Sequence, residues 1–149
     1  MREPSSTPVH VRLIATDTMP DKAAWMMRCI IDYLSSTSSP FLLGIKTLTA
    51  PYAGVIKLQE QRPVESSLRA IIQTQARTGS RFSEAAIWRL AYGILKALAF
   101  LHTPSSNVQK LAGQYCFIHG HLTLDTVFLS TNQMPKIGNL HSCTLVSCN

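Results

Sequence analysis

Apolar residues recur every second position early in the chain and every third or fourth position later. Val9, Val11 and Leu13 alternate with His10 and Arg12, which predicts a strand. From Asp21 onward, Ala23, Met26, Ile30, Tyr33 and Leu34 recur at helical spacing, with Asp21 placed to cap the free amides. Ser35–Pro40 is a turn-rich break. Phe41–Thr49 and Val55–Leu58 are β-prone runs joined by Ala50-Pro51-Tyr52-Ala53-Gly54, a predicted hairpin or pair of adjacent strands. After Pro63 the period lengthens. Ser66 or Ser67 caps a short helix carrying Leu68, Ile71 and Ile72, which ends near Gly79. Ser83 caps the strongest helix of the chain. Its apolar stripe is Ile87, Leu90, Ile94, Leu98 and Leu101, with Arg89 and Lys96 off it. A polar loop, Thr103–Gln114, leads to three short apolar pieces: Tyr115–Ile118, Val127–Leu129 and Lys136–Gly138. Asn132-Gln133-Met134-Pro135 is the turn between the last two. His119-Gly120-His121 thus stands ahead of a hairpin and Asn139-Leu140-His141 behind it. Both triplets converge at one mouth, because hairpin ends are neighbours in space.

These elements predict an α+β fold. Residues 1–8 read as a flexible N-terminus and 9–59 as a small lobe of three or so antiparallel strands with one helix. Residues 60–142 read as a mainly helical part with a hairpin, and 143–149 as a tail. The composition agrees with a packed chain: 149 residues, 46% hydrophobic and 15% charged, which excludes the disordered and collagenous classes. No run of 18 uncharged apolar residues occurs, and Ile87–Leu101 is interrupted by Arg89 and Lys96, so no membrane span is expected. Met1-Arg2-Glu3-Pro4-Ser5-Ser6 lacks the apolar core of a secretory signal. The four cysteines therefore read as reduced thiols of an intracellular, cytoplasmic protein. The net charge of +6 is diffuse: cations between Arg62 and Lys110 stand mostly seven or eight apart, without interleaved aromatics. That spacing describes solvated helix faces, and no nucleic-acid partner is expected.

Several local sequences resemble the catalytic region of eukaryotic protein kinases, and within it the NIMA-related (Nek) group. Phe82-Ser83-Glu84, Ile87-Trp88-Arg89 and Leu95–His102 are similar to the long helix before a kinase catalytic loop; the Trp-Arg pair points to the Nek group. His119-Gly120-His121-Leu122-Thr123-Leu124-Asp125-Thr126-Val127-Phe128-Leu129 stands where that family has H-R-D-L-K-P-x-N-I-x-L. Lys136-Ile137-Gly138-Asn139-Leu140-His141 stands at K-I-x-D-F-G, and Val9-His10-Val11-Arg12 at the third-strand V-A-I-K, followed by a helix. The resemblance covers roughly residues 9–141, with a longer loop at Thr103–Gln114. It implies a partial kinase-like fold with a nucleotide cleft lined by Arg12, His121, Thr126 and Asn139. It also implies that His119 packs beneath the catalytic loop.

Phosphoryl transfer needs a carboxylate to orient the attacking hydroxyl, carboxylate and amide ligands for Mg²⁺, and a lysine on the phosphates. The base position holds His121, a residue that repels Mg²⁺ when charged. The metal-binding amide and aspartate positions hold Thr126 and Asn139, which are poorer ligands for a hard cation. Arg12 replaces the phosphate lysine, and its planar fork does not reproduce a point-charge contact. The helix after it has no glutamate, no glycine-rich loop precedes it, and the chain stops eight residues after His141. The resemblance is therefore to a degenerate and truncated, pseudokinase-like member. The expected role is protein interaction or scaffolding, with an active kinase among the candidate partners and with oligomerisation through the helix stripe. No cofactor is expected. The alternative is a divergent serine/threonine kinase using ATP and Mg²⁺ at Arg12 and Asn139. A zinc site built from Cys116, His119, His121, His141 and Cys143 matches no common zinc spacing, and Cys143 with Cys148 is the sequence's nearest redox pair.

Overall fold

The structure, a computed structural model, describes residues 9–48, 53–61, 66–106, 108 and 111–148. The expected frayed N-terminus, the linker residues 49–52 and the boundary at Pro63 lie outside these residues. The fold is α+β. Strand β1 (Val9–Ala15) leads to helix α1 (Asp21–Ser36), then β2 (Ile45–Leu48) and β3 (Val55–Gln61). Helices α2 (Leu68–Thr78) and α3 (Glu84–His102) follow. Then come β4 (Tyr115–Ile118), β5 (Val127–Leu129), β6 (Pro135–Ile137), a 3-10 turn at Leu140–Ser142, and β7 (Thr144–Ser147). The antiparallel sheet of the first part has the order β1-β3-β2; β4 pairs with β7 and β5 with β6, both antiparallel.

The helix boundaries follow local chemistry. Ser67 and Ser83 each accept a backbone amide in the first turn of α2 and α3, and Gly79 ends α2 in the left-handed conformation. Asp21 does not cap α1. The cap position is Pro20, whose carbonyl takes the amides of Ala23 and Ala24, and Asp21 is the first helical residue. It still favours the positive end of the helix dipole.

Three further expectations change. First, β1 presents the opposite face. Val11 and Leu13 are about half exposed, and the face bearing Arg12 and Ile14 turns inward. Second, the run Phe41–Thr49 is not one strand. Phe41 and Leu43 exchange backbone bonds with Ile137 of β6, Gly44 donates to the Gln61 side chain, and only Ile45–Leu48 joins β3. That split ties the first sheet to the later hairpin. Third, residues 144–147 of the expected tail form β7, whose Leu145 is buried opposite Phe117. The short apolar pair Leu145-Val146 is too brief to announce a strand without its partner.

One apolar core draws on both stretches of the chain. It includes Ile31 and Leu34 of α1, Leu58, Ala97, Leu101, Phe117, Ile137 and Leu140. Tyr33 stacks on Phe117 with ring centroids 4.7 Å apart. The nominally polar loop after α3 contributes Val108, only 2% exposed. Where α3 crosses β6, a Cβ on Gly93 would stand 2.3 Å from Pro135 Cγ, so only glycine permits that approach.

Candidate functional site

The two histidine-bearing triplets do meet. His119 is buried, and its Nδ1 accepts the His121 amide at 3.3 Å. Its Nε2 must then carry the proton, which it donates to the Gly138 carbonyl at 2.9 Å. His119 thus stitches the start of the hairpin to its end. Gly138 is required there, because a Cβ would meet Leu43 Cδ1 at 2.6 Å. Asn139 follows in the left-handed region at φ 61°, a conformation asparagine tolerates better than most residues.

Arg12 reaches across to this turn. Its Nη1 donates to His141 Nε2 at 2.7 Å and, more weakly, to Asn139 Oδ1 at 3.5 Å. An arginine can only donate, so His141 accepts at Nε2 and carries its proton on Nδ1. That Nδ1 is buried and has no hydrogen-bond partner. Burial first, then the Arg12 charge and the neighbouring His119, push the His141 pKa down to about 4, so the ring is neutral near pH 7.

A carboxylate that sequence reasoning missed completes the cluster. Glu60 of β3 is only 8% exposed, and its Oε1 accepts the Asn139 amide at 2.9 Å. The mouth is therefore not free of acid groups. The alternating burial of Val55–Gln61 could have marked Glu60 as inward, since Ile56, Leu58 and Glu60 share one face.

The other expected site residues fall elsewhere. Thr126 is buried, but its hydroxyl takes the Thr123 amide and is held by the His121 and Thr123 carbonyls within its own loop. It braces the loop rather than facing Arg12. His121 is exposed and engaged through its backbone. Asp125 lies outside, in an ion pair in which Arg69 Nε is shared between its two carboxylate oxygens at 2.8 Å. Arg12 and Asn139 are brought together, with His141 and Glu60 added. Of the zinc alternative's imidazoles, those of His119 and His141 are committed to these bonds, and among the described residues no three of His, Cys, Asp or Glu gather at metal-holding distance.

Two features lie away from the mouth. A half-open pocket of about 440 Å³ is lined by Leu34, Ser38, Leu42, Leu43, Gln61 and Lys136. The outer face of α3 carries the larger anomaly. The predicted stripe is largely the covered side: Gly93, Ala97 and Leu101 are buried, with Leu90, Ile94 and Leu98 flanking them. The opposite side carries Trp88, 68% exposed, Leu95, 65%, Tyr92, 53%, and, at its border, Ile87, 55%. Arg89 and Lys96 run along one edge, and the Lys96 ammonium sits 5.6 Å from the Tyr92 ring centre. By length and mean hydropathy (1.2) α3 is apolar enough to cross a membrane, with 22% of that stretch buried. No family model matches the chain, and no curated protein matches it.

Proposed function

We propose that this chain is a kinase-like module that does not transfer phosphate and acts by binding a protein through the outer face of α3. Support for the kinase-like reading comes from convergence. Arg12, at the phosphate-lysine position, hydrogen-bonds Asn139, at the metal-aspartate position, although 127 residues separate them. In the kinase family the residues at these two positions serve one triphosphate and must meet in this way. The histidine before the loop lies beneath it, as the resemblance implies.

The observation that carries the loss of catalysis is the state of that meeting point. Arg12 is tied to a neutral imidazole and an amide. Glu60, the nearby carboxylate, is engaged by a backbone amide. At the metal-aspartate position Asn139 offers Mg²⁺ only a neutral amide, and hard cations favour anionic oxygens. Removing one positioned acid–base group lowers a rate about 10²–10⁴-fold, and here the base and the metal-aspartate positions hold other groups.

The α3 face supports the binding role. Trp and Tyr anchors beside cationic edges form the composition of interaction hot spots. Arg89 and Lys96 select a partner helix with an apolar stripe and acidic flank. The test is thermal unfolding of the purified chain with ATP, with and without Mg²⁺. The expected result is no Mg²⁺-dependent shift; a Mg²⁺-dependent rise in Tm would favour a divergent kinase instead.

A further inference from the structure

The β4–β7 ladder places two thiols side by side. Cys116 stands opposite Val146, and Phe117 opposite Leu145. Phe117 and Leu145 are buried, whereas Ile118 and Val146 are 39% and 40% exposed, so Cys116 belongs to the outer face. Cys148 is two residues beyond Val146 and returns to that same face, diagonal to Cys116. The pairing persists this far, because the Cys148 amide donates to the Gln114 carbonyl at 2.9 Å. The Cys148 thiol points back to the Val146 carbonyl at 3.8 Å; partial burial first, then the neighbouring Cys148 thiol, raise the Cys116 pKa above its ordinary value. Cys148 is exposed, and both thiols are free. Cys29 and Cys143 are buried, and burial pushes the Cys143 thiol up to about 12. Strand pairing, not proximity in sequence, therefore selects the partner of Cys148.

The geometry points to Cys116 and Cys148 as a reversible disulfide site that fastens β7 to β4. The oxidant is a low-molecular-weight disulfide. The exposed Cys148 thiolate attacks one of its sulfurs, forming a mixed disulfide and expelling one small thiolate. Cys116 gives up its proton and attacks Cys148 Sγ, expelling the second. Two protein thiols are oxidised, one small disulfide is reduced to two thiols, and the protons lost by the cysteines balance those gained by the products. Diagonal neighbours are separated by about 7–8 Å between Cα atoms, slightly more than a relaxed bridge spans. Cys148 lies just past the end of β7 and closes the gap by a small backbone adjustment. The bridge would restrain the strand that follows the turn bearing His141, the partner of Arg12.

The test uses the full chain incubated with oxidised glutathione, then alkylation under denaturing conditions and peptide mapping. The expected product is a Cys116–Cys148 linked peptide, with Cys29 and Cys143 still alkylated. Tm should rise by about 5 °C and fall back with dithiothreitol. Cys116→Ser and Cys148→Ser should each abolish the link and the rise. Glutathione left on Cys148 without a link, a link to Cys143 or between two chains, or a link with no change in Tm would overturn the assignment.

Discussion

At the mouth between β1 and the turn at 140–142, polar groups from four distant segments meet one another, while on the outer face of α3 large apolar groups from a single helix meet little. Arg12 bonds Asn139 and His141, Glu60 takes the Asn139 amide and His119 donates to the adjacent Gly138 carbonyl, while among the described residues His141 Nδ1 is the one buried side-chain polar atom without a partner. Trp88 and Leu95 are about two-thirds exposed. A mouth whose Arg12, Asn139 and His119 are already engaged by its own chain has less to offer a ligand. A face that leaves such area in water gains by being covered. The proposed binding role therefore rests on the α3 face rather than on the mouth.

The sharpest break between the two sides of α3 comes from truncating each in turn. Leu101→Ala, at 0% exposure on the inner side, should cost about 2–5 kcal/mol in denaturant unfolding. Gly93→Ala should cost about 1–3 kcal/mol by overpacking against Pro135. Acid should weaken the mouth next. His141 titrates near 4 in the fold against an ordinary value of 6.5. The unfolded chain therefore binds the proton first, so this contribution is full above pH 6.5 and is lost as pH falls towards 4. Comparison with His141→Asn across that window isolates it, and parallel curves for the two proteins would refute it. The smallest effect on stability belongs to the outer face. Trp88→Ser with Leu95→Ser should leave unfolding within about 0.5 kcal/mol per site, yet lower hydrophobic-dye binding and concentration-dependent light scattering.

Much of this architecture was legible from periodicity and caps. Ser67, Gly79 and Ser83 bounded α2 and α3 because each satisfies orphan backbone groups by itself. The convergence of the two triplets followed from hairpin geometry. What stayed hidden was decided by tertiary partners. Glu60 reads as an ordinary strand-end carboxylate until Asn139 arrives beside it. The inward face of β1 was inverted because Arg12, not Val11 and Leu13, had a partner across the cleft. α3 is apolar on nearly every side, and its pattern alone does not say which side is covered; Gly93 fitting against Pro135 does.

The most direct test is incubation of the purified chain with γ-labelled ATP, Mg²⁺ and a protein acceptor. The cleft described above predicts no label above that of a chain-free control. Reproducible transfer of the γ-phosphate to the acceptor, abolished by Arg12→Ala or Asn139→Ala, would contradict it.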